Sequence, residues 1–220
     1  MRTLLAVSLL MALACATGEG TGDTGATTAG GCPAGSGIAA DARRVYGFTD
    51  AWEEAEGVGG TWTVEVEEVR ADGAWTMVTD ATYDVPDYDA YTVVLTSEGW
   101  CDDEGSWLAE EYAEITVALG GQAADGWQRT TYEEPMLVVP AGLGDGAAWT
   151  LAYAGTIASE DGEEAFEAEI EMEARDAGEV EVAAGTFAAL ALYADGELAR
   201  YLDAAVGDLG DGDSYELLAY

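Results

Sequence analysis

The chain has 220 residues and carries 44 Asp plus Glu against 7 basic residues, a formal charge of −37. All the basic residues are Arg, and Lys, His and Asn do not occur. That composition excludes a Ser-His-Asp triad, a Cys-His pair, a His-ligated zinc, a Schiff-base lysine and a phosphate-loop lysine, and a surface of this sign repels nucleic acid. Apolar residues make up 49% and charged residues 23%, so the acidity accompanies a globular composition. The length fits a single domain.

The amino terminus reads as an address. Residues 1–14 hold one positive side chain and then an apolar run ending in small residues. The run is too short to span a bilayer of about 30 Å but has the size of a signal-peptide core. Met11-Ala12-Leu13-Ala14-Cys15 resembles the lipobox of bacterial lipoproteins, differing at Ala12, where that family prefers Leu. The resemblance implies cleavage before Cys15, diacylglyceryl modification of its sulfur, and, with Ala16 following, sorting to the outer membrane. The competing reading is ordinary cleavage after Ala14, leaving Cys15 a free thiol. Residues 16–31 are rich in Gly and Thr and contain no large apolar side chain. They read as a flexible spacer. The expected organisation is a signal peptide over 1–14, a lipidated cysteine and spacer over 15–40, and one acidic β domain over 41–220.

With Cys15 assigned to lipid, Cys32 and Cys101 are left as an even pair in an oxidising compartment. A bridge closing about 70 residues is worth about 4 kcal/mol on the chain-entropy model. Two independent thiols are the other reading.

Along the body the period is 2. Asp50 to Glu53 has the look of a capped short helix. From Thr61, Trp62, Val64 and Val66 alternate with polar residues, and Asp72-Gly73 turns the chain into a second strand. Trp107 to Leu119 mixes both periods and resists assignment. From Phe166 to Ala174 every apolar residue falls on one face and every glutamate on the other, which a helix cannot do. Turns are expected at Asp125-Gly126, Asp145-Gly146, Asp161-Gly162, Ala177-Gly178 and Asp195-Gly196. They separate about ten strands, near 58–70, 73–83, 91–97, 127–133, 147–159, 164–175, 178–183, 186–194, 197–203 and 213–220. The expected fold is all-β, a curled antiparallel sheet forming a half-barrel or open barrel, with at most one or two short helices.

Three segments carry a second resemblance: Pro135 to Trp149, Gly178 to Leu190, and the closing stretch from Tyr201 to Tyr220. Together they look like a class of secreted bacterial domains similar in architecture to the lipoprotein-localisation factors. The resemblance implies a curled antiparallel half-barrel with a concave apolar face over about residues 58 to 220. It brings no site residues with it.

Chemistry-bearing constellations are few. Cation candidates are Asp102, Asp103 and Glu104, and Asp208, Asp211, Asp213 and Glu216, because hard cations take clustered oxygens in Gly-rich loops. Neither group has EF-hand or β-roll spacing, so only weak binding is expected and no dedicated metal site. The seven Trp and eleven Tyr suit core packing, an apolar trough or a sugar-stacking platform. The sequence therefore supports a non-enzymatic, lipid-anchored envelope lipoprotein without cofactor. Its β domain either holds an apolar small ligand or contacts an envelope protein. An aromatic-platform carbohydrate or peptidoglycan binder is the second reading, and a carboxylate-dependent hydrolase the third.

Overall fold

The computed structural model describes residues 32, 38, 40, 42–49, 59–85, 88–182, 185–195, 197–203 and 214–217. In chain order the strands are Arg43–Thr49 (β1), Gly59–Val69 (β2), Ala74–Asp84 (β3), Ala90–Cys101 (β4), Gly105–Leu119 (β5), Gln122–Pro140 (β6), Ala148–Ser159 (β7), Gly162–Val182 (β8), Gly185–Ala194 (β9), Glu197–Asp203 (β10) and Ser214–Leu217 (β11). They form one sheet in the order β10-β9-β8-β7-β6-β5-β4-β3-β2-β1-β11, an antiparallel meander closed at one end by the parallel β1·β11 pair. No helix occurs among the described residues. The Asp50–Glu53 segment, with Cys15, Asp208, Asp211 and Asp213, lies outside them.

The sheet curls into a half-barrel because the period-2 pattern gives it one apolar face. On β2, Trp62, Val64 and Val66 are buried while Glu65 and Glu67 are exposed. On β8, Met172 and Ala174 are buried while Glu167, Glu169 and Glu171 are exposed. A flat single sheet would leave both faces wet, whereas Val64, Val66, Leu108 and Leu151 are wholly inaccessible. Curling brings the apolar faces of distant strands together and removes that surface from water. Cys32 and Ile38, from the segment ahead of β1, complete this core.

Turn chemistry sets the strand limits. Gly73 takes a positive φ in the β2–β3 turn, closed by an Arg70 amide to Ala74 carbonyl hydrogen bond of 2.8 Å. The expected turn at Asp125-Gly126 is instead the interior of β6. The chain reverses earlier, at Gly120-Gly121 between the paired Leu119 and Gln122, where both glycines have positive φ. A two-residue hairpin loop of this kind needs φ above zero at both positions, which Gly-Gly supplies without strain. Ala177-Gly178 is likewise not a turn. Gly178 sits at a bulge inside the 21-residue β8, where the register with β9 slips between Asp176 and Gly178. The segment over 91–97 extends to Ala90–Cys101, and β1 is a strand that the periodicity did not mark.

Candidate functional site

β5 explains why its sequence showed two periods. Opposite β4, Gly99 pairs with Leu108 but Glu98 pairs with Glu110, so one residue, Ala109, bulges out. A one-residue insertion exchanges the two faces of a strand. Leu108 points inward before the bulge, and Glu111 and Ala113 are the buried residues after it. Glu110 is thereby turned outward to an ion pair of 3.1 Å with Arg129, whose guanidinium also lies 5.5 Å from the Tyr112 ring.

Glu111 is thus placed on the inner face of the sheet, 2% exposed. Pairing puts it on a row that crosses the sheet through Val66, Met77, Ser97, Glu111, Thr130 and Ile157. On β6 the register jumps: Met136 pairs with Leu108 while Thr131 pairs with Glu110, so residues 132–135 pass opposite the single bulged residue of β5. Pro135, which cannot donate to a ladder, falls in this irregular stretch. The bend brings Tyr132 over Glu111, and its hydroxyl donates to Glu111 Oε2 at 2.7 Å. Gly155, paired with Tyr132, leaves room for the approach; a Cβ there would run into the Thr131 carbonyl and press on Phe166.

Tyr132, Tyr153 and Phe166 pack as an aromatic trio with centroids 5.8 to 6.2 Å apart. Burial in this apolar setting pushes the Glu111 carboxyl up to about 7, against the smaller opposing influence of Tyr132 and the facing Ser97. Burial also raises Tyr132 and Tyr153, and the nearby Glu111 carboxylate adds to both shifts, so both phenols stay neutral across the physiological range. Glu111 Oε1, Ser97 Oγ, Thr79 Oγ1 and Trp75 Nε1 are all buried without a hydrogen-bond partner. Ser97 lies directly across from Glu111, near enough for its hydroxyl to favour the carboxylate but short of full hydrogen-bonding geometry. With Ser106 Oγ on β5 there are five unpartnered polar atoms on three adjacent strands of one apolar face, which is unusual, because an unmet buried polar group costs about 1 to 3 kcal/mol.

The residues singled out from the sequence lie elsewhere. Cys32 and Cys101 are joined by a disulfide with Cα atoms 4.7 Å apart, tying the segment ahead of β1 to the end of β4. Asp102 is a turn residue: its Oδ1 accepts from the Glu104 and Gly105 amides and from Trp107 Nε1, at 2.9 to 3.1 Å. Partial burial works to raise its carboxyl, but these hydrogen bonds outweigh it and hold Asp102 below the usual range. Asp103 and Glu104 are exposed beside it. Among the described residues no three Cys, Asp or Glu side chains gather to hold a metal ion. Trp62 and Trp75 are buried, Trp100 and Trp107 stack at 6.3 Å across the β4–β5 hairpin, and Trp127 is exposed. Glu111, Ser97 and Tyr132 were not marked by the sequence reading. The signal was present in the out-of-phase Glu110-Glu111 pair, but only the bulge decides which glutamate turns inward.

No helix among the described residues is long and apolar enough to cross a membrane. No family model matches the chain, and no curated protein or solved structure matches it either.

Proposed function

We propose that this chain is a lipid-anchored protein of the bacterial cell envelope, held at the outer membrane through Cys15, whose half-barrel binds an apolar ligand on its inner face without catalysing a reaction. The observation that carries the binding reading is the inner face itself, an apolar surface interrupted by one buried carboxyl and several further polar atoms without partners, among them Ser97 Oγ, Ser106 Oγ, Thr79 Oγ1 and Trp75 Nε1. Ligand sites are mostly apolar, with a few convergent polar groups that fix orientation. Among the described residues β10 and β11 are the two ends of the sheet and do not pair with each other, and a ligand reaching this inaccessible face would have to enter where the sheet is open.

Two features weigh against the competing readings. Sugar stacking calls for a row of exposed aromatic rings, whereas Trp62 and Trp75 are buried in the core. Glycoside hydrolysis calls for two carboxyls flanking one bond, and Glu111 is the single buried carboxyl among the described residues.

The test is organic extraction of the purified full-length protein followed by mass spectrometry. A stoichiometric apolar compound is expected, and repeated recovery of none would leave the domain a structural or interaction module. For the anchor, the wild-type protein should carry the mass of a lipidated Cys15 and partition to membranes. A Cys15→Ser chain should lose both properties; unchanged mass and partitioning would remove the anchor.

A further inference from the structure

The inner face carries a charge preference as well as a shape. Glu111 is the one carboxyl buried there among the described residues, and its Oε1 has no partner. Ser97 Oγ, directly across the strand pair, and Thr79 Oγ1, on β3 two residues beyond the Met77 that pairs with Ser97, also lack partners. All three oxygens accept hydrogen bonds; the two hydroxyls also donate, whereas a carboxylate accepts only. The titratable groups facing Glu111 are Tyr132 and Tyr153, which stay neutral. The described arginines with placed side chains are on the outer surface: Arg43 is exposed, and Arg70, Arg129 and Arg175 pair with Asp72, Glu110 and Glu173.

Resting on the ligand-binding reading above, we infer that Glu111 and Ser97 form the polar subsite for the protonated amine head of an aliphatic amphiphile, its alkyl chain lying along the apolar inner face. A primary ammonium brings three N–H donors and no acceptor, the complement of this oxygen set. It also supplies the counter-charge that a buried carboxylate requires. A carboxylate or phosphate head meets the opposite situation, since it would face Glu111 inside a chain of charge −37. When the ammonium enters below pH 7, Glu111 must give up its proton to pair with it. Binding there releases up to one proton to solvent.

The experiment uses the full-length protein with dodecylamine, 1-dodecanol and dodecanoate below their micelle concentrations, read by displacement of the neutral dye Nile red and by calorimetry. Dodecylamine should displace the dye most strongly, and at pH 6 calorimetry in two buffers should register proton release. Glu111→Gln keeps the side-chain shape and nearly all the surface charge, so adsorption of a cation to the acidic surface would persist in it. Loss of a charge-assisted hydrogen bond predicts about tenfold to a hundredfold weaker amine binding in this variant, with dodecanol unchanged. Ser97→Ala should weaken the amine by a smaller factor. Equal binding of dodecanol and dodecylamine, or undiminished amine binding by Glu111→Gln, would overturn the amine subsite while leaving the apolar site in place. If neither Nile red nor any of the three probes binds, it is the ligand-binding reading itself that fails.

Discussion

The Tyr132 hydroxyl donates to Glu111 Oε2 at 2.7 Å across the β5–β6 pair, and this bond is made beside the irregularity at which Ala109 of β5 lies opposite residues 132–135 of β6. The bulge at Ala109 turns Glu111 inward, and the bend over residues 132–135 lays Tyr132 above it. Neither residue would meet the other in an uninterrupted ladder, where Glu110 would take the inward position.

Glu111 makes stability depend on pH. Its ordinary value of 4.5 applies to the unfolded chain, and burial lifts it to about 7 in the fold. The folded state therefore holds a proton that the unfolded state has released. The resulting stabilisation is complete below 4.5 and is lost as the pH rises through 7. Glu111→Gln removes this dependence. Urea midpoints at pH 5 and pH 8 should show the variant gaining on the wild type by about 2 to 3 kcal/mol over that interval. A constant difference between the two proteins would show that Glu111 titrates normally.

The Cys32–Cys101 bridge spans a sequence separation of 69 residues and anchors the buried Ile38 segment. Replacing both cysteines by serine should cost about 4 kcal/mol in chemical denaturation. Thiol titration of the unfolded, unreduced protein accompanies the measurement; finding Cys32 and Cys101 both free would remove the cause of any difference.

Gly99 is a packing requirement. A Cβ at this position would collide with the Trp107 carbonyl and the indole of buried Trp75. Gly99→Ala should destabilise the protein by about 1 to 3 kcal/mol, the usual cost of overpacking, and alter the near-ultraviolet dichroism of the tryptophans. Gly126 has nothing within 4 Å of its would-be Cβ. Gly126→Ala should stay within about 0.5 kcal/mol of the wild type. Equal effects would refute the packing argument.

The outer face of β8 holds Glu167, Glu169 and Glu171 on the same side, about 7 Å apart along the strand. Opposite them on β7 stand Ala154, Ala152 and Thr150, so no acid directly faces another across this pair. The remaining repulsion runs along the strand and is cut off when the Debye length falls to about 3 Å at 1 M salt. Melting temperature should rise with sodium chloride. Glu169→Gln should raise it at low salt and leave it unchanged at 1 M; an equal gain at both ionic strengths would point to a local propensity effect.

Much of this fold was legible in the chain. Strict alternation on β2 and β8 fixed their faces, because in a strand successive side chains must point to opposite sides. The glycine-aspartate turns at Asp72-Gly73, Asp145-Gly146 and near Asp161-Gly162 fell where local φ demands placed them. Asp125-Gly126 misled because the two glycines five residues earlier satisfied the hairpin geometry first, after which Asp125 had a place in the strand, its Oδ1 accepting from Thr116 Oγ1 at 2.9 Å.

The sequence by itself determined composition and local alternation: the absence of His and Lys and the chemistry that absence forbids, the all-β class, and the exposed carboxylate face of β8. Those follow from residue identity and a two-residue period, which need no knowledge of the neighbouring strand. Tertiary structure alone decided that Glu111 and not Glu110 enters the interior, that Tyr132 reaches it, and that Ser97 stands opposite with its oxygen unpartnered. Those depend on where a ladder slips by one residue, a choice settled by the packing of partner strands contributed from elsewhere in the chain.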